Sequence, residues 1–262
     1  MSSPLSMAVV IATMQKILPN GVHGGDEVHK HSWYPATLAG TIDLDSDYRC
    51  PFFQIVDNSV ENKGVIGSYE EAWRACSDKT NLFAFIHDDV QMHQSWTTRV
   101  YEQFEDPKVG VVGFGGARIH GDPDIYKKPY QLTQLGRGDY FSNVDDAETH
   151  GTRFDGAMDV AVLDGFSLVV RRELLEKMGG WQPEKWPPHH VYDYRVCLEA
   201  HRHGYKVQVV GVKCHHHGGR TATTSEYQKW ADATQWGSDV GMHKAGHRMI
   251  YDEYRDVLPV NV

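Results

Sequence analysis

Leu82-Phe-Ala-Phe-Ile-His-Asp-Asp-Val90 is the stretch whose reading decides the architecture. Its five apolar residues, Leu82 to Ile86, are too few for a core helix and suit a strand covered on both faces. The run stops abruptly at His87-Asp88-Asp89. Upstream, Met7-Ala-Val-Val-Ile-Ala-Thr13 and Phe52-Phe-Gln-Ile-Val56 have the same character, and the second ends at Asp57-Asn58-Ser59. Downstream, Val109 to Phe114 reads as a fourth strand. Helical patterns fall between them. Tyr34, Leu38 and Ile42 recur at steps of four within Ser32 to Leu44; Ser68-Tyr-Glu-Glu71 has the form of a capping box for a helix through Cys76; Ser95 can cap a helix carrying Trp96, Val100 and Phe104. Strands alternating with helices at this spacing predict an α/β domain with a mainly parallel central sheet and helices on both faces.

The alternation lapses twice. Gln15 to His31 and residues 117 to 158 are polar, glycine-containing and without a regular period. Loops this long inside a compact domain are usually functional. Both leave strands at the ligand-binding edge, and Gln15 to His31 and Gly116 to Met158 are expected to act as lids. Beyond them, Val160 to Val170 reads as strand, Glu173 to Met178 as a short helix closed by Gly179-Gly180, and Val191 to His203 as a helix closed by Gly204. Lys206 to Val212 reads as a strand running into Cys214-His-His-His217, and two helical patterns follow Ser225. The expected organisation is one domain over residues 1–220, with a helical tail over 221–262 packed on it.

The formal net charge is −9 over 262 residues, which argues against broad non-specific nucleic-acid binding. No apolar run reaches membrane-span length, and Met1 to Ser6 has no signal-peptide pattern, so the cytoplasm is the expected compartment. Cys50, Cys76, Cys197 and Cys214 form no C-x-x-C pair, which argues against a zinc finger or disulfide framework.

Ligands of open α/β sheets bind beyond the carboxyl ends of the strands. The residues expected there are Thr13, Asp57 with Asn58, His87 with Asp88 and Asp89, and the histidines His215 to His217. A carboxylate at a strand end can accept bonds from a ribose or a base edge. Adjacent carboxylates and an imidazole can hold a divalent cation against a diphosphate. Not all three late histidines can point into one site, because neighbours on an extended chain alternate sides.

The second half carries a denser constellation: Asp164-Gly-Phe-Ser-Leu-Val-Val-Arg-Arg172, then Met178-Gly-Gly-Trp181, then His190-Val-Tyr-Asp193 opening a helix that ends in Gly204-Tyr-Lys206, then the late histidines. With His87-Asp-Asp-Val90, these motifs resemble family 2 glycosyltransferases in their order, especially a short prokaryotic and phage-like branch with an H-x-D-V segment. The resemblance covers residues 7 to 220. It implies a GT-A fold, a nucleotide-diphosphate sugar as donor, a divalent Mn2+ or Mg2+ ion, and transfer of a hexose or pentose to an acceptor hydroxyl with inversion. By position it places Thr13 and Asp57, with Asn58 and Asp88 beside them, at the nucleotide. Asp89 with His217 or His215 falls at the metal, Asp164 near the sugar and Asp193 at the catalytic base. His87 stands where many relatives carry an aspartate that contacts the ribose. Trp181 suits either the core or an acceptor platform.

The acceptor can be a glycan, a lipid-linked sugar, a protein or a modified DNA base. Two other functions fit parts of the pattern. A metal-dependent hydrolase or nucleotidyltransferase would use the same acids, but Thr13-Met-Gln-Lys-Ile-Leu-Pro19 lacks a glycine-rich phosphate loop. A non-catalytic nucleotide-sugar-binding module would not need Asp89, Asp164 and Asp193 together.

Overall fold

The structure, a computed structural model, describes residues 5–14, 16–17, 23–24, 52–92, 95–121, 140–145, 151–216, 222 and 224–262. The helix expected over Ser32 to Leu44, Cys50, His217 and most of the two long loops lie outside the described residues.

Thirteen strands are labelled here in chain order: β1 (Met7–Thr13), β2 (Phe52–Asp57), β3 (Leu82–Ile86), β4 (Val90–Met92), β5 (Val109–Gly113), β6 (Gly115–Ala117), β7 (Tyr140–Ser142), β8 (Val144–Asp145), β9 (Ala157–Asp159), β10 (Val162–Leu163), β11 (Ser167–Arg171), β12 (Lys206–Val210) and β13 (Cys214–His216). The helices are α1 (Gly64–Ala75), α2 (Trp96–Phe104), α3 (Arg172–Lys177), α4 (Tyr192–Arg202), α5 (Ser225–Ala233) and α6 (Asp239–Glu253).

The central sheet has the order β9-β12-β5-β11-β3-β1-β2. β1 runs parallel to β2 and β3, and β12 runs parallel to β5. β11 lies between β3 and β5, antiparallel to both. Alternate residues of one strand feed two cores. Ala8 and Val10 join Phe83, Phe85, Val170 and residues of α1, α3 and α4 on one face. Met7, Val9 and Ile11 join Ala84, Val112 and Val169 with Trp96, Val100 and Phe104 of α2 on the other. This period of two explains why the buried strands read as unbroken apolar runs. Ile250 and Tyr254 at the end of α6 enter the first core, and Val260 pairs with His120. No helix among the described residues is long and apolar enough to cross a membrane.

Several expected boundaries move for physical reasons. Helix α1 begins at Gly64, not at the apparent capping box. Ser68 sits one turn inside it, fully buried, and its hydroxyl donates to the Gly64 carbonyl at 2.8 Å. Gly64 itself has φ +69°, and a Cβ there would lie 2.5 Å from Pro188 Cβ, so the entry requires glycine. The strand expected over Val160 to Val170 is broken at Asp164-Gly165-Phe166, so that β10 joins a small sheet with β6 while β11 joins the main one. Parts of the aperiodic 117–158 stretch are strands, β7, β8 and β9, too short to show a period.

Candidate active site

The antiparallel direction of β11 matters most here. Its N-terminal end lies at the carboxyl ends of β1 and β3, so the turn at Asp164 arrives beside His87, whose N–H donates to the Phe166 carbonyl at 3.0 Å. Helix α4 presents Tyr192 and Asp193 in its first turn to the same edge. Tyr69 of α1 forms a floor, tilted on Phe85 at 4.5 Å and edge-on to Tyr192 at 5.9 Å.

Thr13 and Asp57 end adjacent strands in direct register. The Thr13 hydroxyl donates to Asp88 Oδ2 at 2.7 Å. Burial pushes the Asp88 carboxyl up to about 6, against the pull of the Thr13 bond and with help from the Asp89 charge. Asp57 accepts the Ser59 N–H at 2.8 Å and is partly exposed. Asn58 is a different case. It is buried, and its amide nitrogen donates to Ser68 Oγ at 2.8 Å and Gly64 O at 3.4 Å. Its side chain ties β2 to α1, and the structure gives it partners within the fold at the place where the sequence suggested a nucleotide contact.

Asp89 is the centre of a second group. Its Oδ1 lies 3.4 Å from His216 Nε2 and 4.0 Å from His87 Nδ1. These three residues bring one possible ligand atom each within 4.8 Å of one another, and they form the sole such cluster among the described residues. Burial works to raise the Asp89 carboxyl, but the His216 bond and charge, then His87, outweigh it and hold it at about 2. The register explains the geometry: β13 runs antiparallel to β4 with His216 opposite Val90, next to Asp89. His216 also stacks on Phe166 at 4.9 Å. His215 has the other parity. It stands opposite Asp145 of β8 in the parallel register. The histidine beside Asp89 is therefore His216 and not His215, while His217 is outside the described residues.

The third group is the acid pair. Asp164 accepts the Tyr140 hydroxyl at 3.1 Å, and its own N–H donates to Gly115 O at 2.8 Å. Asp193 accepts the Tyr194 N–H at 2.9 Å. Burial pushes the Asp193 carboxyl up to about 7, and the Asp164 charge adds to this, while backbone N–H groups including that of Gly165 pull the other way. Tyr192 joins the groups: its hydroxyl lies 2.6 Å from His87 Nε2 and 3.2 Å from the Gly165 carbonyl. Trp181 is fully buried, edge-on to Phe85 at 5.0 Å, and so belongs to the core.

Two imidazole nitrogens and a carboxylate oxygen suit a borderline divalent cation, with imidazole favouring manganese over magnesium. The two gaps of 3.4 and 4.0 Å are each shorter than two metal–ligand bonds of about 2.1 Å laid end to end, so each imidazole can share one ion with Asp89. The sequence alone places the run His215 to His217 at this edge but favours His217 or His215 over His216, and it misses Tyr192 and Tyr140. Alternation along β13 shows that one parity faces Asp89, but nothing local says which.

A mainly parallel sheet with a reversed strand β11 inside it and a reversed strand β9 at its edge, rimmed by acids and imidazoles at the carboxyl ends, defines a GT-A type α/β domain. The chain belongs to the glycosyltransferase-like family, whose sequence profile matches residues 28–234. Among solved structures, it is similar to GalNAc-T7 with UDP, GalNAc and Mn2+ at 11% identity and TM-score 0.57, covering 97% of this chain and 50% of that one. Matches of lower TM-score include A197 from STIV (14% identity, 0.39, covering 82% of this chain and 87% of that one) and S. aureus TarS 1–349 (9%, 0.44, covering 81% and 60%). The chain thus spans about half the length of the GalNAc-T7 chain. No curated protein matches it by sequence.

Proposed function

We propose that this chain moves a sugar, a hexose or pentose, from a nucleotide-diphosphate sugar to an acceptor hydroxyl with inversion, in a metal-dependent reaction. The observation that carries the reading is that one sheet edge gathers the Asp89, His87 and His216 cluster, and with it carboxyls that their surroundings drive in opposite directions, Asp193 up to about 7 and Asp89 down to about 2. Acids separated in this way by their surroundings can take separate roles, one as proton acceptor and one as a permanent anion. The glycosyltransferase-like family and the ligands named for GalNAc-T7 support the same reading. So does the H-x-D-V arrangement, in which His87 and Asp89 both lie beside His216.

In this mechanism Thr13, Asp57 and Asp88 would line the nucleotide, and Asp89, His216 and His87 would hold the cation. A divalent ion held there, Mn2+ in preference to Mg2+, would supply Lewis-acid stabilisation of charge on the departing diphosphate. Asp193 takes the proton from the acceptor hydroxyl as the new glycosidic bond forms; a positioned base near neutrality contributes about 10²–10⁴-fold. Asp164 lies toward the sugar, and its charge keeps Asp193 basic. The acceptor class is a glycan, a lipid-linked sugar, a protein or a modified DNA base.

The test is a thermal-shift screen of nucleoside diphosphates and nucleotide sugars with and without Mn2+. One nucleotide should stabilise the chain more strongly in the presence of metal. No stabilisation by any of them, or full transferase activity in excess chelator, refutes the proposal.

A further inference from the structure

The hydrogen bonds around Tyr192 bear on which ring nitrogen of His87 carries its proton. Tyr192 is buried, and its hydroxyl has two neighbours, the Gly165 carbonyl oxygen at 3.2 Å and His87 Nε2 at 2.6 Å. A carbonyl oxygen can only accept, so one arrangement sends the hydroxyl proton to Gly165, and the other sends it to His87 Nε2 and leaves the Gly165 carbonyl without this bond. Only the first makes a hydrogen bond of both contacts: the Tyr192 oxygen then accepts from His87, and His87 Nε2 carries the ring proton. A neutral imidazole has one such proton, so in that arrangement Nδ1 is the unprotonated nitrogen. Nδ1 is the atom that lies 4.0 Å from Asp89 Oδ1, on the side where His216 also approaches.

We propose that Tyr192 is a positioning residue that locks His87 in the Nε2–H tautomer, so that its Nδ1 lone pair is held ready as a metal ligand beside Asp89 and His216. Ligating histidines are commonly fixed in this way by a partner on the second ring nitrogen, although that partner is usually a carboxylate, a carbonyl or water. Here it is a phenol that accepts from the imidazole while donating to the backbone. The fold enforces the contact. A Cβ on Gly165 would lie 2.5 Å from the Tyr192 hydroxyl, so glycine is required for the ring to reach both partners. Tyr69, edge-on at 5.9 Å, and Trp181 at 6.3 Å hold the ring from the sides. The arrangement also sets the spacing of the site. Gly165 follows Asp164 and Tyr192 precedes Asp193, so the residue that orients the metal ligand is covalently next to one member of the acid pair and bonded beside the other.

This inference rests on the metal reading above, and the two can fail separately. The first measurement uses the wild-type protein without metal. Ring ¹⁵N chemical shifts of His87, assigned by its loss in His87→Ala, should show a protonated Nε2 and an unprotonated Nδ1. A protonated Nδ1 overturns the proposal whatever the metal does. The second measurement is Mn2+ binding, followed by the EPR signal of the free ion. Tyr192→Phe removes the acceptor and should weaken Mn2+ binding about 10–100-fold. In the His87→Ala background the same substitution should have no further effect, because no tautomer remains to be fixed. Equal weakening by Tyr192→Phe in both backgrounds assigns Tyr192 a merely structural role and overturns the proposal, as does unchanged binding in the single variant. Wild-type protein that binds no Mn2+ sinks the metal reading itself, and with it the ligand role of His87.

Discussion

Replacing Asp193 by asparagine separates the catalytic use of this carboxyl from its effect on the fold. Its value in the folded chain is raised from 3.8 to about 7, first by burial and then by the Asp164 charge. At 1.36 kcal/mol per pH unit, that shift is worth about 4 kcal/mol if nothing screens it. Asp193 is partly exposed, which reduces the figure to about 2 kcal/mol. The sign follows from proton linkage. Between the unfolded and folded values the native state binds more protons, so wild-type stability falls as pH rises from about 4 to about 7, and the full loss persists above that. The amide introduced by Asp193→Asn is neutral throughout and escapes this loss. It also turns an amide toward the Gly165 N–H, a penalty that does not vary with pH. The quantity to read is therefore the change with pH in the melting-temperature difference between variant and wild type. Between about pH 4.5 and pH 8 it should move in favour of Asp193→Asn by about 4–8 °C, at about 2–4 °C per kcal/mol for a domain of this size. Transfer by the same variant should fall at least about 10²-fold. The wild-type rate should rise with pH up to a plateau above about 7, because the base must be ionised. A difference independent of pH, with a transfer rate near wild type, refutes both the raised carboxyl and its role as base.

Three further outcomes are expected. Asp89→Ala should abolish metal-dependent turnover and Mn2+ binding while leaving the circular dichroism spectrum and the fold intact. His216→Ala should weaken Mn2+ binding at least about tenfold whereas His215→Ala should not, and isothermal titration of the two variants decides between the two parities of β13. Asn58→Ala should lower stability by about 1–3 kcal/mol in urea, because Ser68 loses its buried partner, while nucleotide affinity stays unchanged; a selective loss of nucleotide affinity would return Asn58 to the binding site.

The sheet was legible because its strands are buried on both faces, and continuous apolar runs such as Met7 to Ala12 have few other interpretations. Helices α2, α4, α5 and α6 were legible from their periodicity and from punctuation such as Gly204. The start of α1 was not, since Ser68-Tyr-Glu-Glu71 satisfies a local capping pattern that the contact between Gly64 and Pro188 overrides from 124 residues away (188 − 64). Short strands such as β7 and β8 carry too few residues to show a period. At the site, strand ends and the Asp164 and Asp193 motifs identify residues by type and order. The parity of the late histidines, the inward role of Asn58 and the double bond of Tyr192 arise from long-range register, and no local pattern encodes them.

The reversed strand β11 also constrains how the chain reaches its native state during synthesis. β3 and β5 are consecutive in sequence among the strands of the central sheet but are not neighbours in it; the strand that joins them begins at Ser167, 54 residues after Gly113 (167 − 113). On a ribosome working at about 5–20 residues per second, those two edges wait on the order of several seconds for their common partner. Until then the facing backbone groups of Leu82–Ile86 and Val109–Gly113 present two apolar strand edges, each a template for pairing with another chain. Nascent chains halted before β11 should therefore bind holdase chaperones, and a truncation ending near residue 160 should aggregate instead of forming a smaller stable sheet.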